Sequence, residues 1–446
     1  MAVGQRKHGT QLAHRGITGI SVCGYKSIRE EQGIEIRPLT LIAGANSSGK
    51  SSIMQPLLML KQTLEASYDP GALLLDGPNV RFTSSDQFLS RGERGKKTGN
   101  FSTGVRVDDE TTVTIHFDRS GGQIGIPRMD VRNGRSFTLT PSMQHEEIAA
   151  ILPKSMSDLH DAIARDTHTT AEWKVVRERC FLTCVLSLKD KKVQSFFDPG
   201  EVTPAASVLP RIRDTIHLPG LRGNPERTYP VTAVGSAFPG TFQSYVASVI
   251  ARWQEEPGAQ KLEELAGQLS SLGLTWKAAA RRVSETQVEL QVGRLPHCAR
   301  GGARDLVSVA DVGLGVSQTL PVLVALLVAR PGQMVYLEQP EIHLHPRAQV
   351  AMAEVLARAA QRGVRVVAET HSSLLLLGVQ SLVAEGKLPP NLVKLHWFER
   401  NDAGVTAVRS ADLDETGAFG DWPEDFADVS LDAESRYLSA ASRREE

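Results

Sequence analysis

Leu39-Thr40-Leu41-Ile42-Ala43-Gly44-Ala45-Asn46-Ser47-Ser48-Gly49-Lys50-Ser51-Ser52 is the stretch on which the reading of this chain turns. Leu39 to Ala43 is a short apolar run, the pattern of a buried strand. Gly44 to Ser51 satisfies G-x-x-x-x-G-K-[ST], and from Ser52 to Ala66 apolar residues recur at helical spacing through Ile53, Leu57, Leu58, Leu60 and Leu64. Strand, glycine loop and helix in that order form a phosphate cradle. The glycines let backbone N–H groups curl around phosphate oxygens, and the helix N-terminus adds a favourable dipole. Gly44, Ala45, Asn46, Ser47, Ser48, Gly49 and Ser52 would line the cradle. Lys50 would hold the β- and γ-phosphates of ATP, and Ser51 would ligate Mg²⁺.

The α/β alternation returns far downstream. A helix is expected over Ser317–Ala329, a strand over Met334–Leu337, a helix over Arg347–Arg362 and a strand over Val364–Ala368, with another helix after His371. The first of these strands runs into Glu338-Gln339-Pro340-Glu341. Burying it brings Glu338 to the sheet edge beside the phosphate loop, where it can reach Mg²⁺, and a second carboxylate nearby can orient water. The second strand runs into Glu369-Thr370-His371-Ser372, and a histidine there can contact a γ-phosphate or the water that attacks it.

Between these halves the signal is mixed. From about 100 to 140 the period is two, with turns at Gly121-Gly122 and Asn133-Gly134. Residues 143–180 read as helical, with Met156, Leu159, Ile163 and Trp173 facing inward, followed by a hairpin of Phe181–Leu188 and Val193–Phe197. Pro- and Gly-rich text from Leu218 precedes helices near 240–256 and 258–272. The expected class is α/β, two halves of one sheet bracketing a mixed insertion. The segments are a polar tail (1–16), an N-terminal half (17–125), an insertion lobe (126–300), a C-terminal half (301–410) and a C-terminal tail (411–446).

The 446 residues leave room for one large α/β domain with an insertion, or for two to three domains. Lys+Arg 50 against Asp+Glu 51 gives a net charge of -1, so no general attraction to nucleic acid is expected. Arg91, Arg94, Lys96 and Lys97 form one basic cluster that could contact phosphates. No apolar run approaches the ~20 residues of a membrane helix, and no secretory h-region is present, so a cytoplasmic protein is expected. Cys180 and Cys184 lack a second pair, which argues for reduced thiols rather than zinc.

These residues match a family. Gly24-Tyr25-Lys26-Ser27-Ile28, the phosphate loop, Asp311-Val-Gly-Leu-Gly-Val-Ser-Gln318, Glu338-Gln-Pro-Glu-Ile-His-Leu-His-Pro346 and Glu369-Thr-His-Ser372 resemble ABC-type ATPases of the SMC and overcoming-lysogenization-defect kind. The likeness is strongest to stand-alone bacterial AAA-type ATPases found beside phage-defence genes, and Gly420-Asp-Trp-Pro-Glu-Asp-Phe426 is similar to a tail in one branch of them. The resemblance implies an ATPase head, with a phosphate-loop NTPase sheet, flanking helices and an antiparallel β lobe. It also implies a homodimer sandwiching two ATP molecules, each between one phosphate loop and the partner's signature segment. Here Gly313 and Gly315 would permit close approach, and Ser317, opening a helix, is the best candidate for contact with the γ-phosphate. Gln87 would be the loop glutamine that senses Mg²⁺.

One departure concerns chemistry. The family's strand ends in an Asp-Glu pair; here Glu338 takes the Asp place and Gln339 the catalytic Glu place. An amide is no carboxylate base, so either Glu341 supplies the base or hydrolysis is slow. The stretch after His371 is too short for the nuclease domain that overcoming-lysogenization-defect proteins append. The resemblance therefore implies a switch that regulates a separate effector, a nuclease or toxin, in anti-phage defence. The alternative is a DNA-binding clamp of the SMC or RecF kind, used in repair or recombination.

Overall fold

The computed structural model describes residues 15–92, 98–155, 158, 171–188, 201–235, 237–258, 260–295, 305–420 and 435–437. The chain opens with β1 (Ile17–Cys23), β2 (Gln32–Glu35), β3 (Leu39–Gly44) and α1 (Lys50–Glu65). A meander follows of β4 (Asn100–Val107), β5 (Thr111–Ser120), β6 (Gln123–Asn133) and β7 (Ser136–Leu139). Next come α2 (His145–Ile151), β8 (Ala171–Glu178), β9 (Phe181–Leu188), β10 (Glu201–Val202), α3 (Leu209–Arg213), β11 (Ile216–Leu218) and β12 (Tyr229–Pro230). Then α4 (Val246–Glu255) and α5 (Gln260–Ser271) precede β13 (Ala278–Arg282), β14 (Gln287–Gly293) and β15 (Leu306–Ser308). The chain finishes with α6 (Leu314–Val328), β16 (Met334–Glu338), α7 (Pro346–Gln361), β17 (Arg365–Glu369), α8 (Ser373–Ala384), β18 (Val393–Arg400) and β19 (Thr406–Ala411).

The central sheet has the order β11-β16-β17-β3-β18-β19, with β19 antiparallel to an otherwise parallel set. Both faces are covered, so its strands read as unbroken apolar runs. The pleat sorts alternate residues between two cores. Val335, Leu337, Val366, Ala368, Leu39 and Leu41 pack with helices α4 to α8. Met334, Tyr336, Val367 and Ile42 face α1 and the antiparallel sheet β2-β1-β4-β5-β6-β7. The same parity turns Glu338 and Glu369 toward α1 and the phosphate loop.

Several expectations need correction. The boundary drawn at 125/126 falls inside β6, which pairs along β5 from Thr111↔Asn133 to Ser120↔Gln123 and so belongs to the sheet that begins with β1. The 126–300 stretch also gives β11 to the central sheet and α4 and α5 to its helical layer. Residues 143–180 are not one helical run: α2 is short, and Ala171–Glu178 is a strand. Trp173 is buried as expected, but through the period-two alternation of Ala171, Trp173 and Val175. Met156, Leu159, Ile163 and Val193–Phe197 lie outside the described residues, as do 1–14 and 421–434. Residues 411–420 are no free tail, because Leu413 and Phe419 join the core.

Candidate nucleotide site

The phosphate loop sits where the parallel order places it, at the carboxyl end of β3 between β17 and β18. Gly44 has φ 142°, and a Cβ there would lie 2.2 Å from the Phe398 carbonyl oxygen on β18. Gly49 caps α1 at φ 103°, where a Cβ would meet Thr406 Oγ1 at 2.4 Å. Only glycine fits either place. Ala45, Asn46 and Ser47 are exposed, while Ser48, Lys50 and Ser52 are buried. Lys50 folds back, its Nζ donating to the carbonyls of Gly44 (3.0 Å) and Ala45 (2.7 Å). Burial pushes its pKa down, opposed by the charge of Glu369. Phosphate oxygens are better acceptors for this ammonium than the two carbonyls that hold it.

Three strand ends converge beside the loop. The register sets Glu338 opposite Glu369, and Glu369 opposite Ile42. Ser51 Oγ donates to Glu369 Oε1 at 2.9 Å, and the buried Tyr336 hydroxyl donates to Oε2 at 2.9 Å. Burial and then the charge of Glu338 raise the Glu369 pKa, with Ser51, Tyr336 and Lys50 opposing. Glu338 is held from the other side. The Gly220 N–H donates to its Oε2 (3.0 Å), and His217 Nε2 faces its Oε1 at 3.1 Å. His217 is buried, stacks on Tyr336 and meets Asn79 Oδ1 through Nδ1 at 3.1 Å. Burial alone would raise the Glu338 pKa, but His217, Gly220 and Arg222 outweigh it and hold the carboxylate below its usual range.

The other predicted residues fall into two groups. His371 stands near the loop, where burial followed by the Lys50 charge lowers its pKa against a raising influence of the Gly44 backbone, favouring the neutral ring. Gln339 adopts φ 49° and donates its N–H to the Glu369 carbonyl at 2.8 Å, so it shares this edge. Glu341 is held beside the end of β17. It is buried, its Oε1 accepts from Thr370 Oγ1 and from the His371 N–H, and its Oε2 has no partner among the described residues. Burial raises its pKa. Gln87 is exposed, and its side-chain carbonyl accepts from the Thr83 N–H at 2.8 Å.

Ser317 does not open its helix. The helix α6 starts at Leu314 with Gly313 as its cap, which puts Ser317 in the first turn, its hydroxyl donating to the Leu314 carbonyl. A Cβ at Gly313 would meet nothing within 4 Å, and one at Gly315 would come 3.3 Å from the His343 carbonyl oxygen.

Sequence reading missed Arg222. Buried on the loop after β11, its guanidinium donates to the carbonyls of Glu338 (2.8 Å), Gln339 (3.2 Å) and Gln318 (3.3 Å). Gln318 Nε2 returns a bond to the Gly223 carbonyl at 2.8 Å, and Arg227 pairs with Asp311. This loop straps the acidic strand end to the signature segment. His217, interrupting the apolar pair Ile216 and Leu218, was the available signal.

Residues 207–377 match the family described as "AAA domain, putative AbiEii toxin, Type IV TA system". No curated protein matches the chain. Among solved structures, an SMC head bound to the C-winged helix domain of ScpA is 13% identical, covering 90% of this chain and 98% of that one at a TM-score of 0.49. The SMC head domain from Thermotoga maritima is 11% identical, covering 88% and 98%, at 0.39. An Smc head with an extended coiled coil, bound to the C-terminal domain of ScpA and derived from Pyrococcus furiosus, is 11% identical, covering 89% and 96%, at 0.46. The family match thus spans the acidic strand β16, and the phosphate loop stands at the carboxyl end of β3 in the same parallel sheet.

Proposed function

We propose that the chain is an ATP-gated switch, whose heads pair around two ATP molecules and thereby control a separate effector in anti-phage defence. The observation that carries the ATP half is the loop itself. Lys50 and Ser51 sit beside paired strand-end carboxylates, and Lys50 is held by weak carbonyl acceptors that a phosphate can replace. The hard oxygens of Ser51 and an adjacent carboxylate suit Mg²⁺, which when bound neutralises charge on the β- and γ-phosphates. Lys50 binds those phosphates, the loop N–H groups orient them, and neutral His371 is placed to contact the terminal one.

Slow turnover fits this site. Gln339 lacks a carboxylate, and Glu341 is buried, its Oε1 held by Thr370 and the His371 N–H, with burial raising its pKa. A slowly hydrolysing head stays closed for long, as a switch must. The family description, naming a toxin of a toxin–antitoxin system, supports the defence setting and the expectation of a toxin or nuclease partner. Light scattering with ATP, and with ADP, tests the pairing: a dimer with ATP alone is expected, and a nucleotide-independent monomer would refute it. Of the basic cluster that motivates the DNA-clamp alternative, only Arg91 lies among the described residues, and no observation favours that reading.

A further inference from the structure

We propose that Glu369, and not Glu338, is the carboxylate that works with Ser51 on the Mg²⁺ of bound ATP; this rests on the ATP-binding reading above. The two carboxylates lie on neighbouring strands, in register and on the same face of the sheet. They differ in what already holds them. Glu338 gives one oxygen to His217 and the other to the Gly220 N–H, so both are committed to the β11 side. Turning it to the loop would strand a buried imidazole and a loop N–H without their acceptor.

Glu369 is the inner of the two, next to β3, and its Oε1 already accepts from Ser51. Its Oε2 takes the Tyr336 hydroxyl, an outer hydrogen bond of the sort that fixes a ligating carboxylate in place. The arrangement is also charge-logical. Glu338 has Arg222 and His217 beside it, whereas Glu369 is a buried carboxylate facing the phosphate loop and lacks a direct ion pair there among the described residues. A hard cation between Ser51 and Glu369 would neutralise it.

The test is affinity for a fluorescent ATP analogue, measured with and without Mg²⁺, on wild type, Glu369→Gln and Glu338→Gln. Mn²⁺ bound with the nucleotide is followed separately by electron paramagnetic resonance. Glu369→Gln is expected to lower the Mg²⁺-dependent gain in affinity by about tenfold or more and to change the Mn²⁺ spectrum, while binding without metal persists. Glu338→Gln is expected to keep both the gain and the spectrum. The reverse pattern, equal losses in the two variants, or no loss in either overturns the assignment. Should Glu369→Gln not fold, Glu369→Asp replaces it: its carboxylate is set back by one methylene, so a reduced gain is expected, and an unchanged gain overturns the proposal. If wild type binds the analogue neither with nor without Mg²⁺, the ATP-binding reading has failed instead.

Discussion

Lys50, Ser51 and Glu369 are met on all sides by their own chain, whereas Gly313 and Leu314 at the head of α6 face outward, Leu314 being 41% exposed. Both regions would touch ATP in the proposed dimer. The phosphate loop is fixed by backbone constraints that leave little choice: two positive-φ glycines, a sheet edge, and a hydroxyl on a carboxylate. The signature segment is a first helix turn of small and apolar residues, with an exposed leucine and open space beside Gly313. One is a finished half-site. The other is a face that acquires a role only when something covers it. The loop carrying Arg222 joins the two, and this is where the comparison is most easily broken.

Arg222→Ala removes the donor shared by the Glu338, Gln339 and Gln318 carbonyls. Burial lowers this guanidinium's pKa to about 10, against the pull of Glu341 and Glu338, so it stays charged at neutral pH. Losing it is expected to destabilise the chain by about 4 kcal/mol in urea unfolding. Arg222→Lys should recover little, since one ammonium cannot span three acceptors.

Acid tests the sheet that carries both regions. On β18, His396 faces the Glu35 carbonyl at 2.7 Å and Ser410 Oγ at 2.8 Å, and burial drives its pKa down from 6.5 to about 4. The unfolded chain therefore binds the extra proton between those values. The stability contributed is fully present above pH 6.5 and falls as pH drops to about 4, by on the order of 3 kcal/mol. Unfolding free energies at pH 7, 5.5 and 4 check this, and His396→Asn should flatten part of the slope.

Gly49→Ala probes the finished half alone. The positive φ and the contact with Thr406 are expected to cost about 2 kcal/mol, measured as a lowered Tm, with ATP binding weakened further because the loop must shift. Leu314→Arg probes the open half. Unfolding and ATP binding by the single chain should be unchanged, while ATP-dependent pairing weakens by about tenfold, as read by sedimentation.

Sequence reading served these regions unequally for the same reason. The phosphate loop is a local motif whose function resides in consecutive residues, so its strand, loop and helix were all legible. Glu338 and His371 were legible as the ends of apolar strands. Glu369 stood in the same text, but its pairing with Ser51 follows from the strand order β16-β17-β3, which no local pattern encodes. Arg222 and His217 were hidden because they act from a loop and a three-residue strand distant in sequence. The helix start at Leu314 was misjudged because Ser317 is a good N-cap type, while the glycine ahead of it caps equally well through its backbone. The strand at Ala171–Glu178 was lost to a helical reading of sparse apolar residues upstream of it.

The central claim is that this loop binds ATP through Lys50, and equilibrium binding of ATP to wild type and Lys50→Ala, followed by calorimetry, tests it most directly. The account predicts saturable binding by wild type and a loss of about 100-fold, near 2.7 kcal/mol, in the variant, with its Tm not lowered. Equal affinities in the two proteins, or no binding by wild type, would contradict it.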